Sequence, residues 1–213
     1  MTLHKFRPEF IYYQPVENHE QHKQLILSTI QQEVEQRKFA RAQRTNIPYS
    51  SQTLIYEPDT PTDTAGGKTQ INYTPQFMND VVTMPTINML NEIKSEFNIT
   101  TPTIKEPYLK DIWWNYYLPG KHTAPHIHVD TDFSGIYIVE CNEPNPTQFK
   151  QSLRSVGPLP LYEEYYSSED IKEGHVMIFP SSLLHWVNPC QSERCSVIFN
   201  IMIDYTFEEF SAM

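Results

Sequence analysis

Along residues 18–34 the apolar positions Leu25, Ile26, Ile30 and Val34 recur every three to four residues while Gln and Glu fill the other face, which predicts an amphipathic helix from Asn18 onward. A second stretch over 79–97 turns Val81, Val82, Ile87, Leu90, Ile93 and Phe97 toward an inner face. Pro85 falls inside it and predicts a break that splits the helix, because proline has no N–H to donate and crowds the preceding turn. Ahead of both helices, Phe10-Ile11-Tyr12-Tyr13 marks an opening strand over 6–16, ended by Pro15. The segment 45–75 is rich in Thr, Pro, Asp and Gly and reads as an extended arm.

After Pro107 the texture changes to short runs of Tyr, Trp, Ile and Val separated by turns, predicting strands at 111–118, 123–129, 134–140, 174–179 and 194–205. Between the third and fourth lies a Pro- and Tyr-rich stretch, 144–168, in which Glu163-Glu164-Tyr165-Tyr166 reads as a solvated loop. Strands of this length and spacing suit a sandwich or barrel. No internal repeat or linker is visible, so the expectation is one mainly β domain with packed helices over 1–213. In it, 1–107 supplies a strand, helices and an extended loop that support a β core at 108–206.

Composition narrows the setting. The 13 Tyr and 11 Phe favour pleated structure. Sixteen Lys and Arg against 26 Asp and Glu give a net charge of -10, which repels phosphate backbones and argues against a nucleic-acid partner. The three Cys form no CxxC pair, and their odd count argues against a disulfide framework and for a reducing cytoplasm, that of the host if the chain is viral. No apolar run reaches 18 residues and none of signal-peptide type follows Met1, so neither a membrane span nor secretion by that route is expected.

The chemistry concentrates in the β half. In Pro125-His126-Ile127-His128-Val129-Asp130, strand alternation turns His126 and His128 the same way, and Asp130 with them if the strand persists. A third ligand from a neighbouring strand would complete a metal site with open positions, and His185 is the candidate, after a strand and tight turn in Phe179-Pro180-Ser181. Nine residues on, Arg194, Ser196, Ile198 and Asn200 share one face of a strand. A guanidinium and a hydroxyl projecting together can grip one end of a dicarboxylate, so Arg194, Ser196 and Asn200 are the candidate co-substrate-binding residues of this face. His-x-His by itself occurs by chance on exposed strands; it is the order His126, His128, His185, Arg194 within one β-rich half that carries the signal.

This order, His-x-(acid or His), then Gly…Phe-Pro-Ser…His, then Arg-x-Ser, resembles the 2-oxoglutarate/Fe(II) oxygenase superfamily. His126-Ile127-His128 followed by Ser134-Gly135-Ile136-Tyr137 is similar to a subgroup of bacterial and phage oxygenases within it. The resemblance implies a double-stranded β-helix, or jelly-roll, core with helices on one side, Fe(II) as metal, and 2-oxoglutarate and O2 as co-substrates. It also implies that Asn115 and Tyr117, which lie on one face of the strand before the metal motif, hold 2-oxoglutarate together with Arg194. Two registers stay open for the second ligand: His128 in the acidic position after His126, or a literal His-x-Asp in which Asp130 follows His128. The expected reaction is hydroxylation of a C–H bond on a peptide or small molecule, with a peptidyl proline foremost. The alternative is a non-catalytic, cupin-like barrel that holds a metal or ligand.

Overall fold

A computed structural model of the chain describes residues 10–43, 70–96, 107–152, 163–167 and 170–203. Residues 45–69 of the expected arm, Phe97 and the ends of the first and last predicted strands lie outside these segments.

The last strand shows why the molecule is layered. In β9 (Arg194–Met202), Cys195, Val197, Phe199 and Ile201 point to one face and Arg194, Ser196, Ile198 and Asn200 to the other, and every one is buried. A strand covered on both sides must sit in a sheet between two other layers. That sheet has the order β1-β7-β4-β9-β2, formed by β1 (Tyr12–Pro15), β2 (Tyr108–Tyr117), β4 (Phe133–Cys141), β7 (His175–Pro180) and β9, and all its pairings are antiparallel. A second antiparallel sheet faces it in the order β3-β8-β5-β6, with β3 (Thr123–His126), β5 (Thr147–Ser152), β6 (Glu163–Ser167) and β8 (Leu184–Val187). Apart from the β5–β6 pair within the smaller sheet, strands β2 to β9 alternate between the sheets along the chain and wind as a double-stranded β-helix, the expected jelly roll.

The helices cover the outer face of the larger sheet. Ile26, Ile30 and Val34 of α1 (His19–Gln43) enter one apolar cluster with Tyr137, Val139, Val176, Ile178 and Val197 of the sheet. Fully burying a residue such as Ile26 or Ile30 contributes on the order of 1.5–3 kcal/mol. A second helical run begins with α2 (Pro75–Phe77), widens into a π-helical turn (Met78–Thr83) and continues as α3 (Met84–Glu96). Pro85 does not split α3. It follows directly after the wide turn closed by Met84 N–H to Asn79 O, an irregular turn at which a continuous helical run tolerates a proline. Val81, Val82, Pro85, Thr86, Met89 and Leu90 form the buried stripe at four-residue spacing; Ile87 falls off it and is exposed, against the sequence expectation. Asp80 in the π turn is also buried. It takes hydrogen bonds from His22, Asn18, Gln76 and Asn79, which outweigh the upward push of burial and hold its carboxyl down at about 2.

Three strands were not expected. β5 and β6 occupy the stretch read as irregular, and Glu163-Glu164-Tyr165-Tyr166, read as a loop, is strand paired with Gln148 to Ser152. β8, which carries His185, pairs with both β3 and β5. Between the sheets, Ile136, Ile138, Phe149, Met177, Phe179 and Ile198 form the inner core. Among the described residues no helix is long and apolar enough to cross a membrane.

Gly135 pairs with Phe199 across the β4–β9 ladder, and a Cβ built there would stand 2.1 Å from the Phe199 ring. Gly135→Ala is expected to destabilise the fold by roughly 1–3 kcal/mol through overpacking. Urea midpoints should show the loss, and Gly135→Ala combined with Phe199→Leu should regain part of it.

Candidate metal and co-substrate site

The smaller sheet ends at β3, whose ladder with β8 sets His126 opposite His185. Three residues of β3 from Thr123 to His126 span two of β8, a bulge that accommodates Pro125 on an edge strand. The strand stops at His126, short of the predicted 129. His128 N–H then donates to Ser181 O at 2.9 Å, which carries the chain across the turn that follows β7. Asp130 adopts a φ of +58°, in the left-handed region, and is exposed. The alternation that would have aimed Asp130 with the histidines is therefore broken, and Asp130 lies outside the cluster. His126, His128 and His185 come together, each offering one ring nitrogen within 4.8 Å of the others.

Hydrogen bonding on the far side of each ring sets which nitrogen faces inward. His126 Nδ1 lies 2.9 Å from Ala124 O, His185 Nδ1 2.9 Å from Leu183 O, and His128 Nδ1 2.7 Å from Asn200 Oδ1. Carbonyl oxygens only accept, so each Nδ1 carries the proton and each Nε2 presents a bare lone pair. His126 and His128 bring their Nε2 atoms to 3.3 Å of one another. Burial, followed by the neighbouring His126, pushes His185 down to about 3, and burial is also the main cause that lowers His126. Imidazoles that converge by Nε2 are a donor set that fits a divalent transition metal.

Arg194 lies on the same inner face. It is 1% exposed, and among the described residues it forms no ion pair. Its Nη2 donates to Thr147 Oγ1 at 2.9 Å and toward Asn145 Oδ1 at 3.4 Å, its guanidinium carbon stands 5.3 Å over the Tyr117 ring, and its Nε has no partner. Tyr117 Oη bonds Thr123 Oγ1 at 2.9 Å and receives Asn115 Nδ2 at 3.4 Å, so Asn115 and Tyr117 do share the Arg194 neighbourhood. Ser196 is buried on the inner face of β9, with Asn115 and Ile138 as register partners.

Asn200 departs from the expectation. It sits six residues along β9 from Arg194, about 20 Å of strand, and its amide joins Asp111 and His128 instead. Asn145 and Thr147 escaped the sequence reading altogether. Nothing in Pro144-Asn145-Pro146-Thr147 signals a site until β5 is paired with β8.

Residues 111–200 match the family described as "Putative 2OG-Fe(II) oxygenase". No curated protein matches the chain in sequence. Among solved structures the chain is similar to a 2OG-Fe(II) oxygenase family oxidoreductase from Burkholderia pseudomallei, at 13% identity and a TM-score of 0.43. That likeness covers 62% of this chain and 61% of the Burkholderia protein, about three-fifths of its length. A Pseudomonas putida prolyl-4-hydroxylase is similar at 14% identity and a TM-score of 0.39, covering 62% of this chain and 69% of that one. A cupin domain from Bordetella pertussis gives 14% identity, a TM-score of 0.26 and coverage of 45% and 90%.

The lowered His185 makes a testable linkage. An unfolded imidazole titrates near 6.5, the folded one near 3, so between these values the unfolded chain binds the extra proton. The metal-free protein should lose stability progressively as pH falls below about 6.5 and keep it above. Thermal midpoints across pH should show this slope flattened in His185→Phe.

Proposed function

We propose, from the premise that residues 111–200 match the 2OG-Fe(II) oxygenase family, that this chain is an iron- and 2-oxoglutarate-dependent oxygenase that hydroxylates a C–H bond. The observation that carries the reading is the buried Arg194, unpaired with any carboxylate among the described residues, set a short step from three imidazoles whose Nε2 atoms converge. A buried guanidinium without an anion costs several kcal/mol, and a bound carboxylate relieves that cost.

The spacing supports a dicarboxylate. His126, His185 and Phe149 form one row across β3, β8 and β5, and Thr123, Val187 and Thr147 form another. Two residues along β8 separate them, roughly 6–7 Å, and Arg194 and Tyr117 contact the second row. One carboxylate held by Arg194 beside Thr147 would place the other end of a five-carbon diacid at the imidazoles. His126, His128 and His185 would hold ferrous iron through Nε2, while Ser196, Asn115 and Tyr117 line the way between. Bound together, iron, 2-oxoglutarate and dioxygen supply the oxidising power for hydroxylation as the keto acid is converted to succinate and carbon dioxide. The chain's own part is orientation and exclusion of water: Ile136, Ile138, Phe149, Phe179 and Ile198 give the inner space an apolar floor.

For the primary substrate we favour a peptidyl residue, with proline the first to test. β3 is an edge strand among the described residues, beside which an extended peptide can lie, and Ile127 and Val129, 46% and 69% exposed, border the metal cluster with apolar surface. Both suit an apolar ring on an extended backbone.

Succinate release from 2-oxoglutarate with ferrous iron tests the reaction, and His185→Ala should abolish it; equal turnover in both proteins would sink the assignment. Metal content without turnover would point to the cupin-like barrel. Arg194→Ala should lower the affinity for N-oxalylglycine at least a hundredfold while leaving metal content intact, which calorimetry and metal analysis would check together.

A further inference from the structure

Most sites of this chemistry place a carboxylate on the metal beside two histidines. Here the position is taken by His128, and a carboxylate stands behind it. Asp111 Oδ1 accepts from Asn200 Nδ2 at 2.7 Å, and Asn200 Oδ1 lies 2.7 Å from His128 Nδ1. Ser134 Oγ donates to the same Asn200 oxygen at 3.0 Å, lies 2.8 Å from His128 Nδ1, and meets Ser181 Oγ at 2.9 Å.

The polarity of this relay has one source. An imidazole can donate or accept at Nδ1, an amide can present oxygen or nitrogen, and the hydroxyls of Ser134 and Ser181 can do either. An ionised carboxylate only accepts. Asp111 therefore turns the Asn200 NH2 toward itself, which turns the oxygen toward His128, which requires the proton on Nδ1 and leaves Nε2 bare. With the amide reversed, Nδ2 would donate to Nδ1, the proton would move to Nε2, and the ring would offer no lone pair to the cluster.

We infer that Asp111 is a positioning residue that selects the metal-binding tautomer of His128 through Asn200. The inference rests on the reading of His128 as a ligand and adds a residue, 89 positions from Asn200 in the chain, to the machinery. It also accounts for the place of Asn200 on the inner face of β9, far from Arg194.

The test compares the full-length wild type with Asp111→Asn and with the exchanged pair Asp111→Asn/Asn200→Asp. In the exchanged pair a carboxylate accepts directly from His128 Nδ1 and an amide donates to it from position 111, so the polarity is restored with the contacts reversed. Nitrogen-15 imidazole shifts of the metal-free proteins read the His128 tautomer, and cobalt(II) titration reads affinity. Wild type should be protonated at Nδ1. Asp111→Asn should populate the Nε2-protonated form and bind cobalt(II) about ten- to a hundredfold more weakly, and the exchanged pair should recover both. Unchanged tautomer and affinity in Asp111→Asn would overturn the proposal, as would a folded exchanged pair that recovers neither. If wild type bound no cobalt(II), the ligand reading would fall, while the tautomer shift in Asp111→Asn would still decide the relay.

Discussion

Three imidazoles bring one ring nitrogen each within 4.8 Å of the others, and each can face a lone pair inward only where its Nδ1 gives its proton to an acceptor on the outer side. Much of the local structure serves that condition. Ala124 O lies within β3 and Leu183 O in the turn just before β8, each two residues before its histidine, so those rings are oriented by their own local backbone. His128 follows the end of β3 and has no such acceptor; the larger sheet supplies one through Asn200 and Ser134.

The same sheet must satisfy two unlike demands. Its outer face meets α1 and α3 with a continuous apolar surface, and its inner face carries Arg194, Ser196, Ser134 and Asn200 in the interior. Strand alternation makes the two compatible, since neighbours in sequence face opposite layers. On the outer face Gly135 of β4 leaves room for the ring of Phe199, its ladder partner on β9, and the same two paired strands carry Ser134, Arg194, Ser196 and Asn200. Polar groups buried at this depth are tolerable only when partnered, and most are: Asn200 is fully engaged, and Thr147 holds one end of Arg194. On this face Arg194 Nε and Trp113 Nε1 are the exceptions, and Asn145 Nδ2, whose amide oxygen meets Arg194 from the smaller-sheet side, is another.

Much of this was legible in the linear chain. The spacing His126, His128, His185, Arg194 is a fact of sequence, and so is the alternation that places Arg194 and Ser196 on one face, because a period of two depends only on neighbours. The apolar rhythm of α1 and the change of texture after Pro107 were readable for the same reason. Less could be read where hydrophobic contrast is weak. Thr147–Ser152 and Glu163–Ser167 are mostly polar, and they become strands only because the first finds its ladder in β8 and β6 and the second in β5.

What the sequence by itself determined is therefore the set of chemical groups, their order and the faces they share. Tertiary structure alone brought His128 and not Asp130 to His126 and His185, because a left-handed turn and the bond from His128 N–H to Ser181 O are set by contacts with a distant segment. It alone brought Asn145 and Thr147 to Arg194, across 49 and 47 residues, and it set Asn200 against His128 and Asp111 and away from Arg194. A strand's period says which way a side chain faces, whereas what it meets there depends on the register of strands far away in the chain.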